Sequence, residues 1–220
     1  RDYPGSEWVD KALVRIAANS ELFFDFDKAV QTLQTLEGRR FSDPEGIEYP
    51  GLKAAKLLDY SQRYTEAASA YLDFVQKHPR TQEAPAALYQ AGVMYEKAGN
   101  GREMVRVFER FRREYGNGAS SPLISIPDAV VDSLSRTAAY QAAQSDTRSA
   151  ARTNQQILTE FNARQPQSYE AKSAAAKLAY DQAMARYNRW DAIELGETVS
   201  QQKRALGQRR DQLSELSQTF

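Results

Sequence analysis

A set of small and large apolar residues recurs along this chain at a nearly fixed spacing, and this repeat limits the possible folds more than any other feature. The clearest copy contains Gly92, Tyr95, Phe108 and Phe111. Equivalent residues recur 37 positions earlier, and again 38 positions before that. In chain order these residues are Ala17, Leu33 and Leu36, then Ala55, Leu58, Tyr71 and Phe74. Self-similarity at such a period is typical of stacked repeat proteins.

The spacing within each copy indicates helices. Apolar residues recur three and four positions apart, as in Ala67, Tyr71 and Phe74, and this spacing places them on one helical stripe. Proline and glycine fall between the stripes, which are mostly about 12 to 20 residues long. The sequence therefore predicts an all-α fold, a right-handed α-α superhelix of antiparallel helix pairs.

Five helix pairs are expected in one continuous solenoid. Their approximate limits are 8–41, 51–79, 86–116, 128–161 and 168–220. In the last pair we expect a first helix near 168–189 and a second helix that begins near Asp191. A proline precedes the first repeat residues by nine positions in several units, and Tyr3-Pro4 fits the end of a preceding unit. We interpret the sequence as an internal piece of a larger repeat protein.

Composition argues against several functions. Lys plus Arg and Asp plus Glu both number 29, so no net charge favours nucleic acid or an anionic membrane. No apolar run approaches the roughly 20 residues of a membrane helix, so no direct insertion is expected. With no cysteine and one histidine, His78, we expect no metal site. No catalytic or phosphate-binding motif is present, so we predict neither enzyme activity nor a cofactor.

The repeat positions resemble those of tetratricopeptide repeats. The resemblance is strongest in 86–116 and weaker after residue 120, and periods of 37 and 38 depart from the family's usual 34. The loops His78-Pro79-Arg80-Thr81 and Tyr3-Pro4-Gly5-Ser6 are similar to those of bacterial envelope members, such as the cell-division coordinator CpoB, the assembly lipoprotein BamD and gliding-motility repeat proteins. This similarity implies a periplasmic or outer-membrane-associated protein, with the cytoplasm as the alternative.

The resemblance also implies a binding surface, because the first helix of each such repeat lines the concave face. Tyrosine mixed with charge suits an interface, so other proteins or peptides are the expected partners. The resemblance implies that the following first-helix residues lie on this face and contact a partner: Lys56, Asp59, Tyr60, Tyr89, Val93, Glu96, Lys97, Ser135 and Tyr180. The alternative is that these side chains fill the groove and bind nothing.

A second candidate surface is a stripe of arginines on the second helix of the clearest repeat. Its members are Arg102, Arg106, Arg110 and Arg113. One interpretation is a dock for an anionic partner. The interpretation we favour is a solvated face, because Glu103, Glu109 and Glu114 are interleaved with the arginines.

Residues 116–127 interrupt the repeat and carry Leu123, Ile124 and Ile126 among glycine, serine and proline. Exposed loops seldom carry three such residues without packing them. The segment is expected either to enter the groove or to dock a partner, or, as we favour, to cover the end of a neighbouring helix.

Two functions from different classes fit these observations. The first is a non-catalytic interaction scaffold in a bacterial, and specifically cell-envelope, assembly. The second is a structural spacer in a very large repeat protein, without a groove ligand. Self-association through the ends of the solenoid is compatible with both.

The repeat register predicts a close helix crossing at Gly92. Replacing Gly92 by leucine is expected to overpack this crossing and to lower the free energy of unfolding by about 1–3 kcal/mol. Thermal denaturation followed by circular dichroism measures the effect. An unchanged melting temperature would contradict the register.

Overall fold

The computed structural model describes residues 7–39 and 49–217, and within these ranges the chain is entirely helical, with no strand. The helices in chain order are α1 (Glu7–Leu22), α2 (Phe26–Glu37), α3 (Pro50–Tyr60), α4 (Tyr64–Lys77), α5 (Ala84–Lys97), α6 (Gly101–Tyr115), α7 (Ile126–Ala143), α8 (Thr147–Arg164), α9 (Tyr169–Asp191) and α10 (Val199–Ser217). Tyr3-Pro4, residue 41 at the end of the first expected repeat and residue 220 at the end of the last one lie outside the described residues.

Neighbouring helices pack against each other along the whole series, which confirms the predicted all-α, solenoid-like fold. One buried apolar cluster extends from Val14 in α1 to Ala171 in α9. Its largest side chains include Leu33, Phe74 and Phe111, all close to fully buried. A helix pair that is part of such a series buries its apolar face only when the next pair stacks on it. None of the described helices has the length and apolar character needed to cross a membrane.

The turns inside the first four helix pairs have the same geometry. Each has a middle residue with left-handed backbone, at φ between 59° and 74°. Its N–H donates to the carbonyl three residues back, and the next N–H donates to the carbonyl five residues back, at 2.8–3.0 Å. The middle residues are Phe24, Gln62, Gly99 and Ser145. Because one turn recurs, the two helices of each of these pairs are joined with the same local geometry.

Side chains at the start of the second helices fix several of these turns. The carboxylates of Asp25 and Asp146 and the amide oxygen of Asn100 each accept a hydrogen bond from a backbone N–H in the first turn of the helix that follows. Such caps satisfy backbone donors that have no partner within the helix.

The closest helix crossings occur at glycine. A Cβ added to Gly92 would lie 2.4 Å from Phe108 Cε1, between α5 and α6 of one pair. A Cβ added to Gly101 would lie 2.1 Å from Tyr140 Cε2, between α6 and α7 of successive pairs. The first distance is the physical reason for the cost expected when Gly92 is enlarged.

Polar contacts also link the second helices of successive pairs. Arg63, just before α4, pairs with Asp27 in α2. The Tyr115 hydroxyl in α6 donates to the Pro79 carbonyl at 2.9 Å, and Arg164 Nη2 in α8 donates to Asn117 Oδ1 at 2.8 Å. These links hold one edge of the stack.

The last helix pair differs from the sequence prediction. The second helix was expected near Asp191, but α10 begins at Val199, and residues 192–198 separate the two helices. The Thr198 hydroxyl accepts from the Gln201 N–H at 3.3 Å and marks the new start. Gly196 lies in this connection. Glycine has low helix propensity, so a second helix that began near Asp191 would be destabilised at this position. On α10, Leu206 and Leu213 remain exposed.

Substitutions at Gly99 and Gly207 measure the effect of backbone conformation without a change in packing. An added Cβ at either position meets no atom within 4 Å. Gly99 has a φ of 74°, so Gly99→Ala is expected to lower the free energy of unfolding by about 1 kcal/mol. Gly207 lies within α10, so Gly207→Ala is expected to raise helix stability by up to about 1 kcal/mol.

Urea denaturation of both variants beside the parent chain measures the two signs. Equal effects of the two substitutions would show that the recurring left-handed turn does not constrain this fold.

Candidate functional site

A series of ion pairs connects the first helices of successive pairs. Lys53 Nζ in α3 lies 2.9 Å from Glu21 Oε2 in α1. Lys97 Nζ in α5 lies 2.9 Å from Asp59 Oδ1 in α3, and it also lies over the Tyr64 ring. These pairs bridge helices that are neighbours in the stack.

The same pattern continues between α5 and α7. Arg136 in α7 pairs with Glu96 in α5 and also with Asp132, at 2.6 Å from Arg136 Nε to Asp132 Oδ2. Exposed ion pairs of this kind contribute little stability individually, about 0–1 kcal/mol. They do orient the first helices, and they leave fewer charges available to a partner.

Tyr89 belongs to the packing between helices. Its ring centroid lies 5.7 Å from those of both Phe108 and Phe111, and its hydroxyl donates to the Asp132 carboxylate. Burial raises the pKa of Tyr89, and the hydrogen bond to Asp132 raises it further. The structure therefore gives this residue a structural contact with α7.

The predicted concave residues thus differ in what they contact. Asp59, Glu96, Lys97 and Tyr89 contact neighbouring helices as described above. Val93 is half-buried against the core, and the Ser135 hydroxyl donates to the Val131 carbonyl in its own helix at 3.0 Å. Lys56 and Tyr60 are exposed and line a cleft.

This cleft has a volume of about 1060 Å³ and lies at the α1 and α3 end of the stack. Its walls come from the end of α1, the α1–α2 turn and one face of α3, with single residues from the segments before α5 and α7. The lining includes Leu22, Phe24, Leu52, Leu57 and Tyr60. The size falls at the upper end of the range for ligand sites, about 300–1,000 Å³.

Aromatic rings form a row along one wall of the cleft. The Phe24 and Phe26 centroids are 6.0 Å apart, and the Phe26 and Tyr60 centroids are 5.5 Å apart, both edge to face. Phe24 is 72% exposed and Tyr60 is 70% exposed. We call these three residues the aromatic row.

The sequence analysis did not identify Leu22, Phe23 and Phe24, although a usable signal was present. The repeat register places Phe24 at the turn position occupied by Gln62, Gly99 and Ser145 in the other pairs. An aromatic residue there is unexpected, because bulky residues seldom adopt positive φ.

The interrupting segment 116–127 contributes to the cleft through one residue. Leu123 lines the cleft and is exposed, Ile124 is half-buried against the core, and Ile126 is buried in the first turn of α7. The segment thus has features of both interpretations, since it covers core residues and also borders the groove.

The other candidates lie elsewhere. Tyr180 is exposed on α9 and does not line the cleft. In the arginine stripe, Arg106 pairs with Glu103 at 2.8 Å and Arg110 pairs with Glu114 at 3.0 Å. Arg113 lies 3.7 Å from Glu114, and Arg102 is exposed.

The described residues hold no cluster of three or more metal-ligating side chains. His78 Nε2 lies 3.0 Å from Glu37 Oε1, and its ring packs beside those of Tyr49 and Phe74. These contacts join α2 to the end of α4 and give the histidine a position in the packing.

Comparison with known families now adds to this geometry. Residues 86–118, which contain α5 and α6, match the family described as Tetratricopeptide repeat. The third helix pair is thus similar to a tetratricopeptide repeat. Proteins built from tetratricopeptide repeats are generally non-catalytic scaffolds for protein–protein interaction. The comparison with curated proteins finds no match.

The buried tyrosines of this helical solenoid predict a loss of stability at alkaline pH. Burial raises the pKa of Tyr71 and of Tyr89 above the ordinary value of 10.0, and nearby Asp59 and Asp132 respectively raise them further. The contribution of each group to stability is therefore complete below pH 10. Above pH 10 the unfolded chain releases a tyrosine proton that the folded chain retains. The free energy of unfolding then falls by about 1.4 kcal/mol per pH unit for each group.

Urea denaturation between pH 8 and pH 11 checks this expectation. Tyr71→Phe and Tyr89→Phe should each make the fall in stability above pH 10 shallower. Tyr60→Phe is the control for the loss of a hydroxyl, because the Tyr60 side chain is exposed on the surface. The expectation fails if all three variants lose stability as steeply as the parent.

Proposed function

We propose that this chain is a non-catalytic scaffold that binds a segment of another protein in the cleft between the α1–α2 turn and α3. The observation that carries the proposal is the combination of a tetratricopeptide-like solenoid with a large cleft whose wall exposes Leu22, Phe24 and Tyr60. Exposed apolar patches rimmed by polar residues mark interaction sites.

The cleft is a better candidate than the middle of the groove. Between α3, α5 and α7, Asp59 and Lys97 pair with each other across helices, and Glu96 pairs with Arg136. A partner there would have to break those pairs or leave them exposed at its edge. At the cleft, the aromatic row presents rigid apolar area, which is favourable at binding hot spots.

A spacer role is the second candidate, and a separate observation supports it. Val199, Leu206 and Leu213 lie seven positions apart on α10, and all three are exposed. A further helix pair or another copy of the chain would bury them, so stacking at this end favours a longer array or self-association through the solenoid ends.

We also propose that the scaffold belongs to a bacterial cell-envelope assembly and lies in the periplasm or at the outer membrane. The support is the similarity of the His78–Thr81 loop to envelope proteins and the absence of cysteine, which suits an oxidising compartment. Fractionation of the tagged protein in source cells tests the location. Recovery in the cytoplasm would contradict it.

Site-specific photo-crosslinking tests the scaffold function directly. A photoreactive phenylalanine analogue at Tyr60 is expected to crosslink a partner protein in source cells. The same analogue at Tyr180 is the matched control, because that tyrosine is similarly exposed but lies outside the cleft. A partner captured from position 60 and not from position 180 supports the cleft.

Equal crosslinking from positions 60 and 180, or none from position 60 in a folded protein, would contradict the cleft as the binding surface. Either result would favour the spacer function.

A further inference from the structure

We propose that the exposed face of α10 docks an amphipathic helix of a partner protein, and that acidic residues flank the apolar row of that helix. This inference goes beyond the proposed function, because it concerns a second surface. The residues that line the cleft lie between positions 18 and 123, so none of them belongs to α9 or α10. The solenoid then binds two different segments, one at each end.

The apolar part of the α10 face is a single row. Val199, Leu206 and Leu213 recur one heptad apart, and their exposed fractions are 69%, 56% and 48%. The row is about 21 Å long. A narrow row of this kind is typical of the seam between two packed helices, whereas a helix that lies on a membrane has a broader apolar face. The occupant that fits this row is therefore a helix.

The charge beside the row is positive. On a helix, the surface neighbours of a residue lie three and four positions away. For Leu206 these neighbours are Gln202, Lys203, Arg209 and Arg210. The set contains three cations and no carboxylate, and the same residues flank the other two members of the row.

Two of the three cations are available to a partner. Lys203 is exposed and makes no ion pair with any residue that the structure describes. Arg210 pairs with its neighbour Asp211 at 3.2 Å, and their side chains are 83% and 70% exposed. An ion pair this exposed contributes little, so a carboxylate of a partner can replace it. Arg209 is already held, because its Nη2 donates to the Ile193 carbonyl at 2.8 Å.

The acidic residues nearest in sequence do not share the flanks of the row. Asp211 and Glu215 are each two positions from Leu213, which is roughly 200° around a helix. Glu194 and Glu197 belong to the connection before α10. A helix with acidic flanks therefore meets unlike charge beside the leucines of the row. The same face of a second α10 would instead bring like charges together, which is unfavourable.

Titration of synthetic helices onto the full 220-residue chain tests the proposal. The probes are two peptides with the same heptad row of leucines, one flanked by glutamate and the other by lysine. Like charges on its flanks keep each peptide from pairing with itself. Fluorescence anisotropy measures the affinities. We expect the glutamate peptide to bind about tenfold more tightly or better, and we expect the difference to shrink at high salt.

Two charge reversals identify the cations involved. Lys203→Glu combined with Arg210→Glu should reverse the order of the two peptides. The matched control is Arg106→Glu combined with Arg113→Glu on α6, because these arginines are also exposed and seven positions apart. The control should leave both affinities unchanged. Leu206→Gln should weaken the glutamate peptide about tenfold or more at an unchanged melting temperature, because this leucine is exposed.

Several results would overturn the proposal. No binding of either peptide, equal affinity for both, or an unchanged order after the reversal at Lys203 and Arg210 would do so, as would binding that survives Leu206→Gln. Sedimentation of the chain alone tests a second copy as the occupant. An assembly that Leu206→Gln disrupts would overturn the proposal and support the spacer candidate.

Sedimentation with phosphatidylglycerol vesicles tests a lipid surface as the occupant. Vesicle binding that the reversal at Lys203 and Arg210 abolishes, without binding of the glutamate peptide, would also overturn the proposal. The crosslinking at position 60 decides the function of the cleft separately.

Discussion

The close stacking of one helix pair on the next is the contact on which the rest of this structure depends. Gly101 allows the Tyr140 ring of the following pair to lie against α6, where even a methyl group would meet ring carbons. Phe26, at the start of α2, packs its ring on Tyr60 in α3 of the next pair, with centroids 5.5 Å apart. Without these contacts each helix pair would expose its large apolar side chains to water.

Stacking also determines which polar residues remain available. The first helices lie close enough for Lys53, Lys97 and Arg136 to reach carboxylates on neighbouring helices. These pairs neutralise Glu21, Asp59 and Glu96 on the first helices. The cleft beside the α1–α2 turn keeps Phe24 and Tyr60 exposed, so the proposed binding surface lies at one end of the solenoid.

The helical fold could be predicted from the sequence because its signals are local. Small residues such as Gly92 and large ones such as Phe108 recur at the helical spacing, and each half of a pair is bounded by glycine, proline or a capping side chain. The start of α10 was not predicted correctly, since the periodicity there is weak and Thr198 provides a cap that competes with continuation from Asp191.

The candidate site was harder to predict because it depends on contacts between residues about 40 positions apart. Tyr89 and Asp132 are far apart in sequence, so nothing local shows that the tyrosine hydroxyl is occupied. Tyr60 and Lys56 were predicted from the repeat register, yet that register alone does not distinguish them from Glu96 and Lys97. The unusual residue at position 24 was visible in the sequence, but its exposure beside Tyr60 follows only from the packing of α1 and α2 on α3.

The measurement that tests the central claim most directly is hydrogen–deuterium exchange of the chain with and without its crosslinked partner segment bound. We predict that residues 20–26 and 52–60, which border the cleft, exchange more slowly in the bound chain than in the free chain. Exchange in α9 and α10 should be unchanged. Protection confined to 169–217, or none at the cleft while the segment is bound, would contradict it.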